Sequence, residues 1–226
     1  MATHPKKYRG EVINVTYDVK RCMHAAECVK SGLSQVFDMN RRPWVNPDGA
    51  DADKVIDVVE RCPSGALQYA FVEDADTHLN TSETNESPET NSVRPQPDSA
   101  LYVRGDITLK DSDGNVLEQT TRLALCRCGQ SNNKPFCDYS HHDAAFEDGG
   151  ALGTTNLADA VVDTDGLLEL QTTPNGPLLV NGNFALRNAS HSRILYGDKA
   201  ALCRCGQSKN KPFCDGSHSA AGFTAE

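Results

Sequence analysis

The chain has 226 residues, 38% of them hydrophobic, and a formal net charge of -9. Its length fits one large or two to three small domains, and the modest apolar fraction favours small domains with thin cores that need a metal or a cross-link. The acidic balance disfavours DNA, RNA or an anionic membrane as partner, because each requires a basic face, and no apolar run approaches membrane-spanning length.

The first ten residues are polar and basic, without the apolar stretch of a secretory signal. A cytoplasmic, reducing setting is therefore expected, where cysteines serve metals more than disulfides. Residues 11–17 alternate and are β-branched, which predicts a strand. A short helix is expected over residues 25–31, strand-like pieces over 36–38 and 43–45, a helix over 52–61 behind Asp51 and Asp53, and a strand over 68–72. That order makes a small α+β domain over residues 1–73. Residues 74–96 are polar and acidic, with almost nothing to bury, and read as a solvated linker.

The rest of the chain is a repeat. Cys126 and Cys203 are 77 residues apart, and the same offset carries Pro97, Leu101, Val103, Gly105, Leu109 and Phe146 onto Pro174, Leu178, Val180, Gly182, Leu186 and Phe223. The repeated unit is about 50 residues long, which is domain-sized. The two units are expected at 97–147 and 174–226, joined by a connection at 148–173 in which residues 166–170 read as a packed strand. Each unit opens on a strand, at 100–103 or 177–180, and a second strand, at 123–125 or 200–202, runs into a cysteine; a hairpin turn is predicted at 113–115.

All nine cysteines fall into three groups. The repeats hold Cys126, Cys128, Cys137 with His141, and Cys203, Cys205, Cys214 with His218. Thiolates and imidazole so close together read as a metal or cluster site. Structural zinc usually takes Cys-x2-4-Cys pairs, whereas these sites open on Cys-x-Cys. Two adjacent iron centres suit the spacing better, with Cys126 and Cys128 on one and Cys137 and His141 on the other, and likewise in the second repeat. A zinc-stabilised interaction module is the alternative. Under the offset His142 aligns with Ser219, so it is read as a neighbour of the ligand His141.

The pattern Cys-x-Cys-x2-Ser-x3-Pro-x-Cys-Asp-Gly-Ser-His, which residues 203–218 match throughout, resembles the CDGSH iron–sulfur domain family. The resemblance covers 97–146 and 174–223 and implies a [2Fe–2S] cluster on three Cys and one His in each copy. It also implies β-rich units that pack in pairs, here as an intramolecular pseudo-dimer in a monomeric chain. The first copy departs at Tyr139, where the pattern has Gly. Three thiolates bring such a site to about -1 rather than the about -2 of a four-Cys site, so it accepts an electron more readily, and reduction eases protonation at the histidine. Asp138 and Asp215 are read either as caps of the turn that presents the histidine or as solvated loop residues. Arg127, Arg204, Lys134 and Lys211 either offset cluster charge or are simply exposed.

The third group is Cys22, Cys28 and Cys62. Ferredoxins use Cys-x2-Cys-x2-Cys with a distant Cys-Pro. Here Ala25 occupies the middle place and Cys62-Pro63 supplies the distant one. Three thiolates alone suit a [3Fe–4S] cluster; a [4Fe–4S] cluster needs one more ligand, and His24 adjoins the vacant place, either as that ligand or as a surface histidine. With Arg42-Pro43-Trp44 and residues 62–67, residues 7–73 resemble the divergent single-cluster [4Fe–4S] ferredoxin-like family. No nucleophile–base constellation and no nucleotide-binding glycine motif is present, so an enzyme is disfavoured. The expected function is electron transfer with proton-coupled redox, toward a redox partner protein. The alternative is a cluster carrier or redox sensor that donates a [2Fe–2S] unit to an apo iron–sulfur acceptor.

Overall fold

A computed structural model describes residues 5–72 and 90–225. They fall into two compact units, divided between Ser87 and Pro88. No described helix is long and apolar enough to cross a membrane.

In the first unit, β1 (Lys6–Tyr8), β2 (Ile13–Tyr17) and β3 (Leu67–Phe71) form an antiparallel sheet in that order. Val15 faces Tyr69 in the register, and both are buried. Helix α1 (Ala52–Glu60) has Asp53 in its first turn, where a carboxylate favours the helix dipole. Its buried Val55, Val58 and Val59 recur at i, i+3 and i+4, so one stripe enters the core, each valine stabilising by about 1.5–3 kcal/mol. The 36–38 and 43–45 segments meet through a single Phe37–Val45 bridge rather than as strands. The Arg41 guanidinium closes that loop on the carbonyls of Gln35, Val36 and Pro43.

The helix expected at 25–31 does not form. Residues 27–30 are turns, because His24 and Ala26 are left-handed, with φ of 57° and 63°. A right-handed helix cannot run through them, and the loop they bend carries Cys22 and Cys28.

The second unit is built on the repeat. Strands β4 (Ser92–Pro95), β5 (Leu101–Lys110) and β6 (Val116–Leu125) are followed by β7 (Leu167–Thr172), β8 (Leu178–Arg187) and β9 (Ile194–Leu202), all in one six-stranded sheet. Its pairings are reciprocal between the repeats. β4 runs antiparallel to β5 and parallel to β8, while β7 runs antiparallel to β8 and parallel to β5. Val93 pairs with Leu186, and its equivalent Leu170 pairs with Leu109, the equivalent of Leu186. Each repeat thus lends a strand to the other. The core is shared as well: Leu101 and Leu178, Val103 and Val180, Ile107 and Phe184, and Leu125 and Leu202 all lie in one buried cluster.

Both repeats therefore begin one strand earlier than the sequence suggested. β4 lies in the stretch read as linker, of which residues 74–89 lie outside the described residues. The misreading has a simple cause: in the sequence Ser92–Pro95 shows only Val93 as an apolar residue, and what it buries comes from β5 and β8.

Candidate metal centres

Each repeat builds its loop in the same way. The strand ending at Leu125 delivers Cys126, and the chain folds back so that Phe136 bridges Leu125. Cys126 N–H donates to the Pro135 carbonyl at 2.8 Å and Cys137 N–H to the Ala124 carbonyl at 2.9 Å. Cys203 and Cys214 repeat both bonds, to Pro212 and Ala201, each at 2.8 Å. The Ser131 hydroxyl donates to the Phe136 carbonyl and that of Ser208 to Phe213, both at 2.7 Å. Lys134 and Lys211 donate inward to the carbonyls of Ser131 and Ser208.

Of the two readings offered for Asp138 and Asp215, the structure supports capping. Asp138 accepts from the N–H groups of Asn132 (2.8 Å) and Ser140 (3.0 Å), and Asp215 from those of Lys209 (2.8 Å) and Ser217 (3.0 Å). Ser140 and Ser217 open the single-turn helices α2 (Ser140–Asp143) and α3 (Ser217–Ala220) that carry the histidines. The hydrogen bonds hold both carboxyls below the usual carboxylate range, although burial works against them at Asp138. Tyr139, in the place of Gly216, keeps the left-handed backbone, with φ of 77° against 86°.

Arg127 and Arg204 are buried, not exposed. Arg127 donates to the carbonyls of Ser99, Gln96 and Asp148, and pairs with the Asp148 carboxylate. Arg204 donates to the Thr173 carbonyl at 3.0 Å and lies over the Phe223 ring. The two loops also meet back to back. A Cβ on Gly129 would stand 2.7 Å from the Cys205 carbonyl oxygen, and one on Gly206 would stand 2.7 Å from that of Cys128. Only glycine permits this approach, and both residues have positive φ.

The donors come in pairs. Cys126 and Cys128 Sγ are 3.7 Å apart, as are Cys203 and Cys205 Sγ. A tetrahedral metal with bonds of about 2.3 Å holds two sulfurs about 3.8 Å apart. In the first repeat Cys137 Sγ and His141 Nδ1 form the other pair at 3.3 Å. Among the described residues no three of His, Cys, Asp or Glu gather closely enough for a single ion. Paired donors fit two bridged metals, whereas one zinc ion needs all four at once.

Electrostatics agree with a cationic occupant. Burial pushes the Cys137 thiol up to about 12 and raises that of Cys203. In the tightly coupled Cys126–Cys128 pair, the hydrogen bond between the two sulfurs holds Cys126 below the usual thiol value while Cys128 is pushed up. Three thiolates are not held together in such a place without positive charge beside them. Burial, His142 and Arg127 keep the His141 imidazole below its usual value, Asp138 opposing, so it is the neutral form a metal takes. His142 is exposed, stacked on Tyr139 at 5.1 Å and paired with Asp143.

The two sites differ around the histidine. Cys137 and His141 are 3% and 6% exposed, and Ser99 Oγ lies 3.1 Å from His141 Nε2. Cys214 and His218 are half-buried, and His218 Nδ1 lies 3.4 Å from the Ser219 hydroxyl. Sequence reasoning missed Ser99; the signal was its mismatch with Gly176 under the 77-residue offset.

In the first unit Cys22, Cys28, Cys62 and His24 line one cavity of about 350 Å³. Ala25, in the ferredoxin ligand place, lines it too, as do the apolar Met39 and Trp44. Burial pushes the Cys28 thiol up to about 11, helped by Cys62 and Cys22. Burial, then a hydrogen bond with Cys22, raises the Tyr17 hydroxyl. Three thiols around one cavity with an apolar wall again suit a cationic cluster.

Comparison with known proteins agrees with this division. The divergent 4Fe-4S mono-cluster family matches residues 8–71, and the family described as iron-binding zinc finger, CDGSH type, matches 98–142 and 175–219. A 62-residue stretch, 27% of this chain, is 42% identical to 80% of "Uncharacterized protein YjdI" of Escherichia coli strain K12, and equally to that of Escherichia coli O157:H7. No solved structure matches the chain.

Proposed function

We propose that this chain, which belongs to the divergent 4Fe-4S mono-cluster family in its first unit and to the CDGSH family in both repeats, is a soluble, cytoplasmic electron carrier rather than an enzyme. It would hold a [2Fe–2S] cluster on Cys126, Cys128, Cys137 and His141, and another on Cys203, Cys205, Cys214 and His218. A [4Fe–4S] cluster would sit on Cys22, Cys28 and Cys62 with His24 as the remaining ligand. The clusters supply one-electron couples; the protein holds them and shields them from water. The observation that carries this reading is the pairing of donors, Cys126 with Cys128 and Cys203 with Cys205 at 3.7 Å and, in the first repeat, Cys137 with His141 at 3.3 Å.

The repeats, with their exchanged strands, form the pseudo-dimer of a monomeric chain. The two loops touch through Gly129 and Gly206, so the ligand cysteines Cys128 and Cys205 adjoin across the junction. That contact suits electron sharing between the repeats. Proton-coupled redox at the two histidine-bearing sites belongs to this reading, so the potential should fall as pH rises between about 6 and 9. A flat potential would remove proton coupling.

Mixing the reduced chain with an oxidised one-electron acceptor protein tests the function. Reduction of the acceptor while iron stays with the chain supports electron transfer. The second reading, a cluster carrier, is favoured by Cys214 and His218 being only half-buried. It predicts that iron and sulfide move together to an apo-ferredoxin.

A further inference from the structure

We infer that the two histidine-bearing sites divide labour, the first retaining its cluster and the second exchanging it. The inference rests on the [2Fe–2S] reading of both sites. It comes from two positions that flank the histidine. Ser99 places its hydroxyl 3.1 Å from His141 Nε2, and Tyr139 sets its ring edge-on to the imidazole, 5.0 Å between centroids. The equivalent positions in the second repeat are Gly176 and Gly216. Neither can reach His218, which with Cys214 is half-buried, whereas His141 and Cys137 are buried.

The difference lies in these side chains rather than in the framework. The loop bonds of the cysteines, serines, lysines and aspartates recur in both repeats, and so does the left-handed residue before each histidine turn. Swinging away from a metal would cost His141 its bond to Ser99 and meet the Tyr139 ring. His218 meets neither obstacle, so a competing donor reaches its place first. The exchange is a ligand substitution with no net electron change. Thiols of an apo-acceptor lose their protons and bind the [2Fe–2S] cargo, while Cys203, Cys205, Cys214 and His218 give up their bonds and the three thiolates take up protons. Ser99 is a positioning residue here, acting through His141.

Chelator competition on the full-length loaded chain at one fixed neutral pH tests this, followed by the visible circular dichroism of the [2Fe–2S] sites. Two phases of equal amplitude are expected, separated by about two- to tenfold, the order set by losing one hydrogen bond. Ser99→Ala with Tyr139→Gly should merge the slow phase into the fast one, whereas Ser99→Thr, which keeps the hydroxyl, should leave it slow. Gly216→Tyr, at a left-handed position (φ 86°) with open space around its Cβ and a tyrosine already tolerated at the equivalent place (Tyr139, φ 77°), should slow the fast phase alone. A single phase in the unaltered chain, or a slow phase indifferent to Ser99 and Tyr139, overturns the inference while leaving the cluster reading intact. Absence of sulfide before chelator is added overturns the cluster reading and the inference with it.

Discussion

His24 carries more than its place in the chain suggests. It is exposed and left-handed, yet it lines the cavity that Cys22, Cys28 and Cys62 share. If it supplies the last ligand, His24→Ala should convert the first unit to a [3Fe–4S] centre. EPR of the oxidised protein would then show a new signal absent from the unaltered chain; an unchanged spectrum would return His24 to the surface. Cys28 makes a second prediction. In the metal-free protein its folded pKa is raised to about 11 from the ordinary 9.0. The folded state then favours the neutral thiol, so this contribution to stability is fully present below about pH 9 and is lost as pH rises toward 11. Urea unfolding of the metal-free chain should therefore show the first unit weakening over that window, and Cys28→Ser should flatten the dependence.

At the level of elements, the ligand loops are held by features outside the ligands. Gly206 allows its loop to touch the Cys128 carbonyl, and a methyl group there would stand 2.7 Å from that oxygen at a φ of 78°. Gly206→Ala should cost about 1–3 kcal/mol in urea unfolding, from left-handed strain and the forced separation of the loops. Much of this was legible in advance. The strand β2, the valine stripe of α1 and the hairpin at Asp113–Asn115 follow from local periodicity and spacing, although β2 buries Ile13, Asn14 and Val15 in a row rather than in alternation. What escaped depends on distant residues. Residues 25–31 look helical until His24 and Ala26 turn left-handed around the cavity. β4 looks like linker because its partners are β5 and β8. Arg127 looks exposed because the carbonyls it binds lie about 30 residues away in the chain.

For the whole molecule, the 77-residue offset becomes a physical relation. The repeats exchange strands, share one core and touch at their metal loops, so neither buries its apolar face alone. Duplication within one chain also lets the two sites diverge, and the change from Ser99 and Tyr139 to Gly176 and Gly216 is such a divergence. The central claim is that the donors hold bridged iron rather than single ions. It is tested most directly by iron, acid-labile sulfide and zinc content per chain after anaerobic purification. The account predicts about eight irons and about eight sulfides, from two [2Fe–2S] sites and one [4Fe–4S] site. Zinc without sulfide at the two repeated sites would contradict it.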